Sequence, residues 1–144
     1  MPCEVPTFLC YTYLSVSITF GGEEMKKIYN IGVEATVDVI GGKWKPIILC
    51  NLRHGNLRTS ELQKLIPSIS QKMLIQQLRE LEKDQIITRK IYQEVPPHVE
   101  YSLSEYGLTL ASVLDLLCQW GENHVNKLIA EGEDVTLSCP PHLK

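Results

Sequence analysis

From Val33 onward the chain alternates short amphipathic stretches with Gly, Pro and Ser/Thr punctuation. Val33 to Ile40 has helical spacing and stops at Gly41-Gly42. A second helix starts near Trp44. Pro46 falls in its first turn, where backbone N–H groups have no intrahelical partner to lose. That helix is read as carrying Ile47, Ile48 and Leu52 inward and ending at Gly55. Arg58-Thr59 leads into a third helix, with Ser60 and Gln63 spaced as a capping box. Leu62, Leu65 and Ile66 form its apolar stripe, and Pro67 ends it. The segment Pro67-Ser68-Ile69-Ser70 is a tight turn. Ser68 and Gln71 form a second capping box, which opens a fourth helix running to Lys83.

The period then changes from helix to strand. Residues 86–92 are rich in β-branched side chains, residues 93–98 hold Pro96-Pro97 and cannot pair, and residues 99–103 read as a returning strand. Ser104 caps a last helix expected to run from Glu105 to Ala130. Two short helices joined by a tight turn, then a β-hairpin, predict a winged helix-turn-helix. The expected fold is mainly α with a small β-hairpin wing and a long C-terminal dimerisation helix.

The two ends read differently. Residues 1–24 contain three glutamates and no Lys or Arg, and the apolar stretch from Phe8 to Phe20 lacks helical periodicity and the basic start of a signal peptide. Gly-Gly-Glu-Glu at 21–24 can be encoded by a purine-rich run like a ribosome-binding site, directly before Met25. Residues 1–24 are therefore expected to be a non-native or disordered extension. Residues 25–131 are expected to form the winged helix-turn-helix domain, whose DNA-binding and dimerisation roles rest on the residues that follow, and residues 132–144 a flexible tail.

The fourth helix carries the chemistry. At about 100° per residue, Leu74, Leu78 and Leu81 share one side, while Lys72, Gln76, Arg79 and Lys83 share the other. Arg and Lys pair with phosphates or with guanine's major-groove acceptors, and Gln can bond an adenine edge in bidentate fashion. Ser68, Ser70 and Gln71 stand at the helix N-terminus, where unpaired N–H groups favour a phosphate. Arg89, Lys90 and His98 are the candidate contacts on the wing, with Arg89 and Lys90 at its base and His98 near its tip. A solvated polar face is the bland alternative for such a stripe. The hairpin behind it and the local charge weigh against that alternative.

Net charge is −3, which taken alone argues against nucleic acid. The distribution changes that picture. Residues 43–90 hold ten basic and four acidic residues, whereas residues 105–144 hold two basic and six acidic ones. One anion-binding region and one region with another task fit this asymmetry. The five cysteines are odd in number, widely spaced and without a CxxC pair, which points to a reducing cytoplasm and away from a disulfide framework or structural zinc. No apolar run is long enough to span a bilayer, so no membrane partner is expected.

In the last helix Leu110, Leu114, Leu117, Val125 and Leu128 lie within one broad face, and Trp120 and Val113 widen it. Leu108, Leu116 and Ile129 add apolar surface elsewhere. So wide an apolar girth exceeds what one side of contact can bury and predicts a second chain. Leu110, Leu114, Leu117, Trp120, Val125 and Leu128 are the expected interface of a homodimer. Two-fold symmetry would set two reading helices about one DNA turn apart, roughly 34 Å, on a palindromic site.

Several stretches resemble the HxlR-type family of bacterial winged-helix regulators, relatives of the MarR-type group. They are Val-Glu-Ala-Thr at 33–36, Ile-Gly-Gly-Lys-Trp-Lys at 40–45, Ile-Ser-Gln-Lys-Met-Leu at 69–74, Gln-Leu-Arg-Glu-Leu-Glu at 77–82, Glu-Val-Pro-Pro at 94–97 and Val-Glu-Tyr-Ser-Leu at 99–103. The resemblance runs from about Val33 to about His124. It implies a dimer, a recognition helix in the major groove, a basic wing, a first helix that joins the dimer contact, and repression or activation of nearby genes. A small-molecule effector of unspecified chemistry stays open. Many redox-sensing members of the family look like Cys-Pro just before the Val-Glu-Ala-Thr stretch. Ile31-Gly32 stands there in this chain, so no sensor cysteine carries over. Cys50 on a core helix and Cys118 on the last helix are expected to be buried, inert thiols.

Two other function classes are weaker. An enzyme finds no support, because there is no HExxH, phosphate loop or GxSxG, and the four histidines are scattered. No cofactor or metal motif accompanies them, and Cys139-Pro140-Pro141-His142 lacks further ligands. A winged-helix module that binds protein would not need three cations along its fourth helix.

Overall fold

The computed structural model describes residues 27–138. The expectations for residues 1–24, for Met25 and for Cys139 lie outside the described residues. The chain runs α1 (Gly32–Ile40), α2 (Trp44–Leu52), β1 (Leu57–Arg58), α3 (Thr59–Leu65), α4 (Gln71–Lys83), β2 (Ile87–Tyr92), β3 (His98–Leu103), α5 (Glu105–Leu108) and α6 (Ala111–Ala130). The three strands form one antiparallel sheet in the order β1-β3-β2. Helices packed on a small sheet whose β2–β3 hairpin projects as a wing make this a winged helix-turn-helix, as the sequence pattern predicts.

One core holds the elements together. Ile48, Leu49, Leu62, Leu74, Leu78, Leu81, Ile86, Ile87 and Leu114 are fully buried. α2 buries Lys45, Ile48, Leu49 and Leu52, a stripe at i, i+3, i+4 and i+7. Ile47 lies off that stripe and is 37% exposed, which corrects the expectation that it points inward. Its neighbour Leu49 takes the inward place. The break between α1 and α2 requires glycine. A Cβ on Gly41 would lie 2.1 Å from the Val37 carbonyl oxygen, and Gly42 has φ +85°.

Both expected capping boxes are replaced by neighbouring residues. α3 begins two residues earlier than a Ser60 cap allows. Its first free N–H, on Arg58, therefore donates to Glu61 Oε2 at 2.7 Å. Gln63 instead donates across the turn to the Ile69 carbonyl at 2.5 Å and ties the two ends of the helix-turn-helix together. α4 is capped by Ser70, not Ser68: Ser70 Oγ accepts from the Met73 N–H at 3.2 Å. Ser70 has the extended backbone that an N-cap needs, at φ −72° and ψ 150°.

The sheet has a third strand that the sequence pattern does not reveal. β1 is two residues long, too short to show a period, and pairs Leu57 with Tyr101 and Arg58 with Glu100. The sequence pattern opens the first wing strand at Ile86, whereas β2 begins at Ile87. The Ile86 carbonyl accepts from the Ser104 N–H at 3.0 Å. The returning strand begins at His98, because His98 pairs with Tyr92.

The single last helix expected from Glu105 to Ala130 is two helices. Ser104 caps only the first, accepting from the Gly107 N–H at 2.8 Å. Gly107 sits so tightly that a Cβ there would lie 2.0 Å from the Ile86 carbonyl oxygen. This close approach docks α5 on the start of β2, and the chain must turn at Thr109-Leu110 to leave as α6. α6 ends in a pair of bonds from the Gly132 N–H to the Ile129 carbonyl and from the Glu133 N–H to the Leu128 carbonyl, both 3.0 Å. No helix among the described residues is long and apolar enough to cross a membrane.

Candidate nucleic-acid interface

α4 divides into two faces. Leu74, Leu78 and Leu81 are fully buried. Ser68, Ser70, Gln71, Lys72, Gln76, Arg79 and Lys83 are all exposed. The helix is thus seated by its leucines and presents its cations outward. Ser70 Oγ is occupied by its capping bond, so a phosphate at this end would meet backbone N–H groups and the side chains of Ser68, Gln71 and Lys72.

The outward face is tethered on one side. Gln76 Nε2 donates to Glu80 Oε1 at 3.0 Å, and Glu80 Oε2 lies 2.9 Å from Lys45 Nζ. Lys45 belongs to the basic middle of the sequence, yet it is 8% exposed and its charge is spent inside the protein. The Gln76 amide and then the Lys45 ammonium hold the Glu80 carboxyl below its usual range. This contribution to stability is complete above the ordinary carboxylate pKa and is lost as pH falls through the lower folded value. Glu80→Leu is expected to lower the melting temperature by leaving a buried ammonium without a partner. Adding Lys45→Met should recover part of that loss, because it removes the buried ammonium that the first substitution leaves without its carboxylate. Thermal unfolding of the single and double variants checks this, and equal melting temperatures would show that the pair does not seat α4.

Two other cations face carboxylates, Arg53 largely covered and Arg58 half-exposed. Arg53 is bonded to Asp115 of α6, and Arg58 Nε lies 4.0 Å from Glu100. Lys64, Arg58 and Ser60 are not among the candidate DNA contacts that the sequence pattern offers. All three line an open cleft of about 730 Å³ between the start of α3, the start of α4 and the wing residues Pro96 to Val99. Only the tertiary fold brings the wing loop opposite α3, and the cleft places Arg58 and Lys64 beside the start of α4.

The wing is less basic than the sequence suggests. Arg89 pairs with Tyr101 and Lys90 with Glu100, in the middle of the hairpin and not at its base. Successive strand residues point to opposite faces, so these two side chains leave the sheet on opposite sides. Lys90 Nζ lies 4.8 Å from the centre of the Tyr92 ring. His98 is stacked on Tyr92 at 4.6 Å, with its ring nitrogens 3.4 Å from Glu94 and 3.3 Å from Glu100. Its side chain is largely covered, and a phosphate would have to compete with two carboxylates for it. A duplex lying along one face of the wing meets one of Arg89 and Lys90. One single alanine variant is therefore expected to flatten the log–log salt dependence of DNA affinity by about 0.9 and the other to leave it unchanged. Equal changes from both variants would place the DNA around the edge of the wing.

The expected dimer residues separate into two groups. Leu114 is fully buried within the protomer, packed in its core, which removes it from the interface. Leu110 packs half-buried against the same core, and Val125 and Leu128 are half-buried. Leu117 is 50% and Trp120 69% exposed. Leu116, Ile129 and Leu108 are also exposed, as are Ile31, Val33 and Val37 in and beside α1. Leu114 alone on α6 is fully buried, so a 20-residue helix leaves most of its apolar surface uncovered.

Cys118 is exposed, not buried, and Cys50 is half-buried. The expectation of two buried thiols fails because α6 touches the domain along only part of its girth. No group of three or more His, Cys, Asp or Glu residues arranged to hold a metal occurs among the described residues.

Comparison with known proteins agrees with this geometry. The HTH-type transcriptional regulator YtcD of Bacillus subtilis is 62% identical over 106 residues, covering 74% of this chain and 84% of that protein. An HTH-type transcriptional regulator of Methanothermobacter thermautotrophicus is 45% identical over 115 residues, covering 79% and 88%. Among solved structures, ytcD superposes with a TM-score of 0.64 at 61% identity, covering 67% of this chain and 98% of that one. The redox regulator HypR in its oxidised form superposes with a TM-score of 0.63 at 49% identity, covering 65% and 96%. Residues 39–128, which span the helix-turn-helix, the wing and most of α6, match the model of HxlR-like helix-turn-helix proteins. The chain belongs to the HxlR-like helix-turn-helix family of DNA-binding transcriptional regulators.

Proposed function

We propose that this protein regulates transcription as a homodimer that seats two copies of α4 in successive major grooves of a palindromic operator. The observation that carries the reading is the two-sidedness of α4. Its leucines are fully buried, while Lys72, Gln76, Arg79 and Lys83 stand outward beside an open cleft that holds Arg58 and Lys64. In this reading Arg79 and Gln76 read base edges, and Lys72, Lys83 and Lys64 bind phosphate. Ser68, Gln71 and the N-terminal amides of α4 take a further phosphate. The wing adds a backbone contact through Arg89 or Lys90.

A second copy of the chain is the partner that fits the uncovered faces of α1 and α6. Trp120, Leu116, Leu117, Val33 and Val37 are large, apolar and exposed, and none of them belongs to α4 or the wing. A dimer made through them leaves both reading helices free. Self-association through one patch is isologous, which generates the two-fold axis that a palindromic site mirrors. Footprinting on the genomic DNA flanking the gene, with a salt titration on random duplex, tests the reading. The expected result is a protected inverted repeat with half-sites about one helical turn apart, over a weaker salt-sensitive background. Binding to neither DNA, with retained fold, would favour a protein-binding module.

A further inference from the structure

Cys50 of α2 and Cys118 of α6 are 68 residues apart in sequence, yet their sulfurs stand 3.7 Å from one another. One turn away, Arg53 at the C-cap of α2 and Asp115 of α6 form an ion pair that clamps α2 to α6. Leu114, next to Asp115 on α6, is fully buried in the core. Two fixed helices therefore hold two thiols in contact, at a place where α6 otherwise has little hold on the domain. We propose that Cys50 and Cys118 form a reversible disulfide within one chain, which locks α6 to α2 when a hydroperoxide reaches Cys118.

The two thiols differ in access, and this sets the order of events. Cys118 is exposed, whereas Cys50 is half-buried. Burial, together with the neighbouring Cys118, pushes the Cys50 thiol up to about 12, so it does not ionise first. The Cys118 thiolate attacks the outer peroxide oxygen. The O–O bond breaks, the other oxygen leaves with a proton as the alcohol or as water, and Cys118 becomes a sulfenic acid. The Cys50 sulfur then attacks the sulfenyl sulfur. The S–S bond forms, the S–O bond breaks, and the departing hydroxide takes the Cys50 proton as water. Two thiols are oxidised and one peroxide is reduced. Two equivalents of a small thiol reverse the bridge by exchange and leave as their own disulfide.

Closing the sulfurs from 3.7 Å to about 2.05 Å needs a shift of roughly 1.7 Å, shared between side-chain torsions and the two helices. α2 is tied to the reading helix through Lys45–Glu80, and α6 carries the apolar face given above to the second copy. The bridge thus joins the element that seats α4 to the element that spaces the two heads. This consequence for DNA rests on the function proposed above, while the bond itself does not.

The test treats the full chain with hydrogen peroxide, blocks free thiols with iodoacetamide under denaturing conditions, and maps peptides by mass spectrometry. The expected result is a linked Cys50–Cys118 peptide, abolished by dithiothreitol, in a chain that migrates as a monomer on a non-reducing denaturing gel. Cys50→Ala should accumulate a dimedone-trapped sulfenic acid at Cys118. In Cys118→Ala, Cys50 should stay alkylatable. Both thiols found alkylated after treatment, or a link between two chains, would overturn the proposal, and the wild-type map decides it even if a variant fails to fold. Operator affinity of the bridged and reduced forms is expected to differ on the order of tenfold. Equal affinities with the bridge formed would remove the switch, whereas loss of DNA binding in both forms would count against the DNA reading instead.

Discussion

A chain carrying Trp120→Glu together with Leu116→Glu is expected to sediment as a monomer at micromolar concentration and to lose operator binding, while keeping its fold. Both side chains lie on the uncovered part of α6, so the free protomer gives up little when they change. In a two-fold dimer each substitution occurs twice and leaves unpaired carboxylates facing apolar surface. An aromatic residue of this size buries about 150–250 Å² at an interface, and apolar burial contributes about 25 cal/mol per Å². Losing two such contacts and desolvating the new charges costs at least several kcal/mol, or a dimer constant weaker by roughly three orders of magnitude. Leu114→Ala makes the contrast. It should lower unfolding stability by about 2–5 kcal/mol through a core cavity and leave the association state alone. A glutamate double variant that still sediments as a dimer would move the interface away from α6.

The second large effect belongs to the reading helix. Arg79→Ala is expected to lose about 1–3 kcal/mol of discrimination between the operator and a duplex altered at the base pair it contacts, which is roughly 5- to 150-fold. Gln76→Ala should lose less, because the Gln76 amide already bonds Glu80 and must leave it to reach an adenine. Lys72→Ala and Lys83→Ala should weaken binding to every sequence alike and reduce the salt slope by about one unit each. Competition binding against operator variants, repeated at several salt concentrations, separates the two classes. Unchanged affinity and specificity in all four variants would place the DNA on another face.

Much of this architecture is legible in the chain because its signals are local. The leucine spacing 74, 78, 81 against 72, 76, 79, 83 fixes both faces of α4 by helix geometry alone, and the structure buries one and exposes the other. Pro67, the Gly41-Gly42 pair and Pro96-Pro97 mark boundaries through their own backbone limits. Both caps lie two residues from the expected serines, at Arg58 and Ser70, because the choice falls to the residue whose backbone the tertiary turn holds extended.

The order and type of the elements, the buried and exposed faces of α4, and the family are therefore written in the local pattern of the chain. The tertiary structure alone decided which charges are available and where long-range neighbours meet. Lys45, Arg53 and Arg58 count as basic in the chain, yet each faces a carboxylate contributed by a distant element. β1 exists only because β3 offers it an edge, and the break after α5 follows from Gly107 lying against Ile86. Leu114 and Leu117 look alike on a helical projection, but the domain covers one and leaves the other open. The meeting of Cys50 and Cys118 belongs to the same class. Periodicity describes a residue's angle about its own helix, whereas contact depends on where a second helix, far along the chain, is held.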